Sequence, residues 1–396
     1  MFSIKNKLDR NLRYSLLNNE HKHYRVLIKY KSFSESLGKK IIGYKGTLIY
    51  ILKIPNIICA RLDKESIERI IEYPEVAFVT FDEYLFLCGT SVSTANKAYS
   101  YKKLSLSGKN INIGLVDSGI YPHNDLSNPH NKISSFVDII NNLSYPYDDN
   151  GHGTAIAGII AGSGVSSEGM YRGIAPYSNI YCYKAFDSLG KGFSSDILFS
   201  IESLLFERDK NNIKILCLPF ELLTHNLIIL NAFNDIFSFA VKENITPIVP
   251  SGSNENLEGS ICGIGNLKNC ITVGGINTSS TEKPYKYSSA GTSKSGKPDL
   301  CAACVNITSL NSNTSYISEK DGHKLYPPKL STSYKSFNGT SLAAAYVTGI
   351  TALLYESNPS LTFKDIFSLL KLSCERVDLP KFNQGEGVIN LTKLPF

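Results

Sequence analysis

Two kinds of apolar pattern alternate along the chain from about residue 111 to residue 276. Short, nearly continuous apolar runs such as 111–117 (INIGLVD) predict strands that are buried on both faces. Longer runs with small or regularly spaced apolar residues, such as 153–162 (GTAIAGIIAG) and 194–208, predict helices. Strands and helices in alternation are typical of an α/β fold, in which helices cover both faces of a parallel sheet.

The same alternation continues toward the C-terminus. Its further predicted elements are strands at 179–186, 213–220, 246–253 and 270–276 and helices at 227–244 and 342–354. The last of these helices contains no charged residue and little bulk, so we expect it to be buried on most sides.

The first ninety residues follow a different pattern. Residues 24–30 alternate polar and apolar positions as a strand does, and residues 63–74 place isoleucines on one helical face. Further strands are predicted at 47–54, 56–62 and 76–87. These elements indicate a small α+β unit, and the polar, small-residue stretch that follows it indicates a boundary.

The patterns predict four segments and one insertion. They are an N-terminal extension (1–22), a small α+β domain (23–88), a linker that leads into the second domain (89–110), a large α/β domain (111–396) and, within it, a polar surface insertion at about 306–335.

Composition excludes several classes of protein. Of the 396 residues, 42% are hydrophobic and 19% are charged, which is typical of a folded globular chain of about two domains. The net charge of +6 comes without a block of lysines and arginines, so we expect no nucleic-acid partner. Nine cysteines cannot all pair, which favours a reducing compartment.

The N-terminal stretch contains no apolar core of signal-peptide length. The apolar stretch at 41–60 is interrupted by Lys45, Lys53 and Pro55, so we expect no membrane span. Taking Met1 as the natural start, we expect a cytoplasmic protein.

Side chains suited to acyl transfer stand at three points on this scaffold. Asp117 ends a predicted buried strand, and α/β proteins bind ligands at the carboxyl ends of the strands of their sheet. His152 lies between two glycines where a helix begins, and Ser341 follows a Gly-Thr turn at the start of the buried helix. A serine hydroxyl needs a base to become a nucleophile, and an imidazole base needs a carboxylate to orient it. Each residue alone is more often a helix cap or a turn residue, but together they predict a catalytic triad.

The motifs around these residues resemble those of the subtilisin family of serine endopeptidases. The resemblance rests on GLVDSGI, NGHGTAIAG and NGTSLAAA in that order, with RGIAP at 172–176 and ITVGG at 271–275, and it covers roughly residues 105–375. It implies a subtilisin-like parallel sheet and a polypeptide substrate. Residues 24–88 also resemble the family's inhibitory propeptide, a ferredoxin-like domain, with self-cleavage near Cys88-Gly89.

The resemblance assigns a role to each matching position. Asp117 matches the orienting carboxylate, His152 the general base, and Ser341 the nucleophile. Asn254 matches the side-chain donor of the oxyanion hole, and the backbone N–H of Ser341 matches the second donor.

The family's substrate groove can be assigned in the same way. Gly190 and Gly192 match one edge, and Leu218 and Phe220 match the other, where Pro219 has no N–H to donate. Extended substrate would add between the two edges as a strand. The matching wall of the specificity pocket is formed by Ser251, Gly252 and Ser253, with Cys262 near its base. A cysteine there would make the pocket shallow, so we expect a small or medium residue before the scissile bond.

The resemblance implies no required cofactor. Family members often bind calcium, and Asp125 matches one calcium ligand, so Ca²⁺ is a possible ligand. The sequence departs from the family at Ala155 and Ala345, where a histidine and a proline are usual, and at Leu218-Pro219-Phe220. These departures keep open an alternative, a catalytically weak or inactive pseudoprotease that binds peptides. A lipase or esterase would carry a G-x-S-x-G motif, which this chain lacks at Ser341.

Overall fold

A computed structural model of the protein describes residues 7–52, 56–82, 90–97, 105–223, 227–279 and 282–396. The chain divides into two compact units, a smaller one, Met1–Leu87, and a larger one, Cys88–Phe396. The described helices are α1 (Arg10–Asn18), α2 (Ser34–Gly43), α3 (Lys64–Ile70), α4 (Val92–Ala95), α5 (Asn124–Ser127), α6 (His152–Ala161), α7 (Ser194–Phe206), α8 (Arg208–Asn211), α9 (Leu227–Lys242), α10 (Thr340–Ser357), α11 (Phe363–Ser373) and α12 (Lys381–Gln384).

The described strands are β1 (Tyr24–Tyr30), β2 (Thr47–Leu52), β3 (Ile57–Leu62), β4 (Val76–Phe81), β5 (Thr90–Ser91), β6 (Asn112–Asp117), β7 (Ile133–Asp138), β8 (Asn179–Lys184), β9 (Ile213–Cys217), β10 (Thr246–Pro250), β11 (Ile271–Asn277), β12 (Lys283–Pro284), β13 (Leu300–Ala303), β14 (Ile307–Leu310), β15 (Glu319–Lys320), β16 (His323–Lys324), β17 (Tyr334–Phe337), β18 (Cys374–Glu375) and β19 (Val388–Ile389). None of the helices in the described ranges combines the length and apolar character that crossing a membrane requires.

The smaller unit is an antiparallel sheet covered by helices. Its strand order is β2-β3-β1-β4, and α2 and α3 connect the strands in the sequence β-α-β-β-α-β, the order of a split βαβ arrangement. Helix α3 begins where the Asp63 side chain accepts a hydrogen bond from Ser66 N, as an N-cap residue does. The interpretation of this unit as a propeptide stays a prediction.

Two helices of the smaller unit were not expected from the sequence. Helix α1 lies in the predicted N-terminal extension (1–22), yet Leu12 and Leu16 are buried in the unit's core. Leu8, Leu12 and Leu16 recur every four residues and all pack on this core, but the residues around them are mostly polar or charged. Helix α2 begins after Phe33, which has a positive φ of 57° and makes no side-chain cap, and it contains two glycines. Because caps and apolar spacing are the main signals of a helix, both were missed.

The larger unit is built around a parallel sheet, as the α/β pattern predicted. Its described strands follow the order β18-β19-β13-β11-β10-β9-β6-β8-β7, and β7 through β13 in this order are parallel. Helices α6 and α10 pack on one face, and α7 and α9 pack on the other. Strand β6, which ends at Asp117, therefore lies inside the sheet between β8 and β9.

Helix α10 is buried along almost its whole length. It contacts α6 and the strands β9, β10, β11 and β13, and its residues from Leu342 to Tyr355 are all buried. Alanines at 343–345 and Gly349 let neighbouring groups approach closely: a Cβ at Gly349 would lie 2.6 Å from the Cβ of Ile174. This packing fixes the position of the helix start, where Ser341 lies.

The predicted surface insertion at 306–335 is only partly a surface segment. Its first residues form β14, which pairs with β17 and β5, and Ile307 and Leu310 are buried. Leu310 packs so closely on α6 that a Cβ at Gly158 would lie 2.5 Å from its Cγ. The two apolar residues stand among Asn, Thr and Ser, which hid a buried strand in a polar stretch. In the smaller unit, the last part (83–87) of the strand predicted at 76–87 lies outside the described residues.

Candidate active site

Asp117 and His152 form a close pair at the carboxyl end of the central sheet. Asp117 ends β6 and is 4% exposed, and its Oδ1 accepts a hydrogen bond from Ser118 N at 2.6 Å. His152 is the first residue of α6, and its Nδ1 lies 2.8 Å from Asp117 Oδ1 and 3.0 Å from Oδ2. With its proton on Nδ1, the imidazole leaves Nε2 free to accept a proton.

Glycines make this close approach of helix and strand possible. Gly151 precedes His152 with φ of 96°, a conformation that favours glycine over other residues. A Cβ at Gly153 would lie 2.1 Å from Gly119 O and 3.2 Å from the Asp117 carboxyl carbon. Any larger residue at Gly153 would therefore push the start of α6 away from the strand end.

Asp148 holds the start of α6 in place. It is fully buried, and its Oδ1 accepts hydrogen bonds from Ser118 Oγ at 2.9 Å, Asn150 N at 3.1 Å and Gly151 N at 2.7 Å. Its Oδ2 accepts from Thr154 N at 2.9 Å and Thr154 Oγ1 at 2.5 Å. One carboxylate thus satisfies unpaired N–H groups at a helix start, as an N-cap side chain does.

Lys184 fixes the loop that follows Asp117. Its side chain is fully buried at the end of β8, and Nζ donates to Ser118 O at 2.7 Å, Phe186 O at 2.9 Å and Asp149 Oδ1 at 2.6 Å. Asp148 and Lys184 were not singled out from the sequence, because a DD pair and a strand-end lysine are common on surfaces.

The carboxylates around His152 set its protonation. Burial of His152 opposes its charged form. The negative charges of Asp117 and Asp148 favour the charged form, as does the hydrogen bond that Asp117 accepts from Nδ1. Together they outweigh burial and raise the pKa of His152 above its ordinary value. A carboxylate that stabilises the imidazolium in this way suits a residue that gains and then gives up a proton.

Ser341 lies in the same cleft as His152, but its hydroxyl has another partner. It is in the first turn of α10, and its Oγ donates to Pro219 O at 2.8 Å. The cleft has a volume of about 310 Å³ and is lined by Val116, Asp117, Ser118, Asn150, His152, Phe186, Gly190, Pro219, Phe220, Glu221, Pro250, Gly252, Ser253, Gly339, Thr340 and Ser341. The three residues predicted for the triad therefore meet at one site.

Asn254 does not line this cleft. Its Nδ2 donates to Ser260 O at 3.4 Å, a long and weak hydrogen bond, while its backbone N donates to Ser289 Oγ at 2.8 Å. A rotation of the side chain is needed before the amide can serve as an oxyanion donor. The backbone N–H of Ser341 is placed where a helix start leaves such groups unpaired.

The predicted groove residues divide into two groups. The cleft is lined by Gly190, Phe220, Gly252 and Ser253, whereas Gly192, Leu218, Ser251 and Cys262 lie outside its lining. Leu218 is fully buried in the core on the α7 and α9 face of the sheet, and its backbone continues the pairing of β9, with Leu218 N donating to Ile248 O at 3.0 Å.

Ser251 is also buried, and its Oγ lies 3.3 Å from Ser288 Oγ. Gly192 is packed against Ala185 O, 2.4 Å from where its Cβ would be. Phe186 and Glu221, which were not predicted from the sequence, do line the cleft.

Asp125, the predicted calcium ligand, is bonded to donors of the protein itself. It is fully buried, its Oδ1 accepts from Ser166 N at 3.0 Å and its Oδ2 accepts from Tyr334 Oη at 2.6 Å. Both oxygens are thus occupied by protein donors. No group of three His, Cys, Asp or Glu side chains able to hold a metal exists among the residues that the structure describes.

The chain is similar to known proteins over most of its length. A profile of the subtilase family matches residues 108–388. The chain is 34% identical to serine protease AprX of Bacillus subtilis (strain 168) over 317 residues, which cover 76% of this chain and 70% of that protein. It is 27% identical to subtilisin E of the same strain over 369 residues, covering 91% and 86% of the two chains.

Solved structures show the same fold. The structure titled "Sphericase" matches with a TM-score of 0.61 at 22% identity, covering 78% of this chain and 100% of that one. A fold of this kind, with an Asp-His pair and a serine at the end of its parallel sheet, defines a subtilisin-like serine protease. The chain belongs to the subtilase family.

Proposed function

We propose that this protein is an intracellular endopeptidase that hydrolyses polypeptides through an acyl-enzyme on Ser341 and is made as a self-processing zymogen. The observation that carries the proposal is the Asp117–His152 pair in the same cleft as the Ser341 hydroxyl.

The proposed reaction begins with a rotation of the Ser341 side chain from Pro219 O toward His152 Nε2. His152 takes the hydroxyl proton as Oγ attacks the substrate carbonyl, and Asp117 stabilises the imidazolium that forms. The Ser341 N–H and the Asn254 amide would bind the oxyanion. His152 then donates the proton to the leaving amine, and water hydrolyses the acyl-enzyme by the same steps.

The smaller unit is the proposed inhibitor and folding aid. Along the sequence, the division into two compact units falls between residues 87 and 88, next to the expected cut at Cys88-Gly89. Mass spectrometry of purified wild type should give two fragments, and Ser341→Ala should give one intact chain. An uncut wild-type chain would refute self-processing without refuting the protease activity.

The intracellular setting is supported by the cysteines. All eight that the structure describes are free thiols, and six of them are buried. Free thiols are typical of a reducing compartment. Fractionation of the native cells, with immunodetection of the larger unit, should find the protein in the cytosolic fraction; detection in the medium or periplasm would contradict this.

A peptide-binding pseudoprotease is the alternative, favoured by one observation: the hydroxyl of Ser341 and the amide of Asn254 both bond to backbone carbonyls instead of facing the reaction. A fluorophosphonate probe distinguishes the two functions. Stoichiometric labelling that is lost in His152→Ala and kept in Asp235→Asn, an exposed helical position, supports the protease. No labelling of a chain freed of its smaller unit supports the pseudoprotease.

A further inference from the structure

A carboxylate that the proposed reaction does not use lies in the cleft beside Ser341. Glu221 lines the cleft together with Gly252 and Ser253. Its Oε2 accepts a hydrogen bond from Ser253 N at 2.8 Å, and its Oε1 accepts one from Ser253 Oγ. The side chain is therefore held against this wall of the cleft.

The backbone at Gly252 and Gly263 packs closely on Glu221 and on the residue that follows it, Leu222. A Cβ at Gly252 would lie 2.7 Å from Glu221 Oε2, and a Cβ at Gly263 would lie 2.0 Å from Leu222 O. Cys262, next to Gly263, has its pKa raised by burial and by the charge of Glu221. The Glu221 carboxylate thus lies against Gly252 and Ser253, and the backbone of the next residue, Leu222, packs on Gly263.

The charge of Glu221 has no fixed partner in the described residues. Both of its hydrogen bonds come from the neutral groups of Ser253, and the ion pairs of the described residues all use other carboxylates. A half-buried carboxylate without a cation attracts one from a ligand more strongly than a fully solvated carboxylate does.

The apolar part of the cleft complements this charge. The rings of Phe186 and Phe220, whose centroids are 5.3 Å apart, both line it. Lysine and arginine side chains combine an apolar stem with a cationic end and can pack on aromatic faces.

Ser253 directly precedes Asn254, the predicted oxyanion donor. A substrate carbonyl placed against Asn254 would therefore bring the side chain of its own residue to the Gly252–Ser253 wall, where Glu221 lies. We propose that Glu221 selects substrates with arginine or lysine immediately before the scissile bond. This inference rests on the proposed protease function and replaces the expectation of a small or medium residue at that position. Residues 83–88 contain no lysine or arginine, so self-cleavage at Cys88-Gly89 would depend on the high effective concentration of the attached segment.

The test uses the wild-type protein as it is purified after expression of the whole chain. Its substrates are fluorogenic peptides that differ only in the residue before the scissile bond: arginine, citrulline, leucine, alanine or glutamate. Citrulline keeps the shape of arginine without its charge. We expect kcat/KM for arginine to exceed that for citrulline by at least about tenfold, equivalent to about 1.4 kcal/mol. The ratio should fall toward one in Glu221→Gln, and in Glu221→Lys the glutamate peptide should overtake the arginine peptide.

Glu258→Gln is the matched control, because Glu258 is exposed and accepts a hydrogen bond from Ser293 N outside the cleft. It should leave the arginine-to-citrulline ratio unchanged. The ratio does not depend on how much of a variant is folded, since both peptides meet the same enzyme. A wild-type ratio near one, or a ratio that Glu221→Gln does not change, would overturn the inference while turnover of any peptide keeps the protease function. Absence of both turnover and probe labelling would overturn both.

Discussion

Replacing Asp148 with asparagine tests whether one buried carboxylate holds the catalytic helix in place. The side chain keeps its shape, but one acceptor oxygen becomes an NH₂ group. In the less costly orientation the amide nitrogen faces Thr154, so that Thr154 N is left without an acceptor while the hydroxyl can turn to accept. In the other orientation, Gly151 N and Asn150 N lose theirs.

The expected loss follows from these contacts. An orphaned buried N–H costs about 1–3 kcal/mol, and the remaining bonds lose the extra strength that a charged acceptor gives. We therefore expect Asp148→Asn to lower the free energy of unfolding of the larger unit by about 2–5 kcal/mol, which corresponds to a fall in Tm of roughly 4–10 °C.

The measurement is thermal unfolding in a Ser341→Ala background, which prevents self-digestion. Asp235→Asn is the control, since it is the same change at an exposed position of α9, and it should lie within about 0.5 kcal/mol of the parent. In the active background, loss of the Asp148 charge should also lower the pKa of His152 and move the acid limb of kcat/KM to lower pH. A variant as stable as the control, with an unshifted acid limb, would refute the role given to Asp148.

Three further changes test other parts of the structure. Wild-type kcat/KM should fall as pH drops through a value above 6.5, because Asp117 and Asp148 raise the pKa of His152. Asp117→Asn should lower kcat by about 10⁴-fold and move this acid limb of the pH profile to lower pH. Stopped assays across pH 5–9 measure both effects. Gly153→Ala should lose at least about 100-fold in kcat/KM, since its methyl group would meet Gly119 O at 2.1 Å. Leu12→Ala should destabilise the smaller unit by about 2–5 kcal/mol, measured by hydrogen exchange over α1 in the Ser341→Ala chain, whereas exposed Leu17→Ala should not.

Five strands of the parallel sheet, β6, β8, β9, β10 and β11, were predictable from the sequence because most of their residues are apolar. Strands β7 and β13 were not predicted, and β7 has serines at positions 134 and 135. Strand β6 was predicted at 111–117 and observed at Asn112–Asp117, and α10 extends the helix predicted at 342–354 by a few residues at each end. Both elements are buried over most of their length, so their polar residues are few and most positions are apolar. Strand β14 and helix α1 have only two buried apolar residues each, so their burial depends on partners that are distant in sequence.

In the site too, residues within local motifs were predictable, whereas residues that act through distant contacts were not. Asp117, His152 and Ser341 stand in motifs with glycine or threonine neighbours at fixed positions, and the structure brings them to one cleft. Glu221 and Lys184 act through contacts with residues 32 and 66 positions away, which no local motif records. Half of the groove residues assigned by resemblance lie outside the cleft lining, because matching a position along the chain does not fix which way its side chain points.

The charged pair of the site, Asp117 and His152, is held in one position, whereas the neutral side chains of Ser341 and Asn254 can rotate. A hydrogen bond joins Asp117 to His152, and α6 packs so closely on the end of β6 that there is no room for a Cβ at Gly153. Ser341 and Asn254, by contrast, bond through freely rotating side chains to single backbone carbonyls, at 2.8 and 3.4 Å. Side-chain rotations of this kind take picoseconds to nanoseconds near a surface, whereas moving a strand end or a helix start would disturb the core. A peptide that enters the cleft could therefore reorient Ser341 and Asn254, the proposed nucleophile and oxyanion donor, without altering the backbone that carries His152.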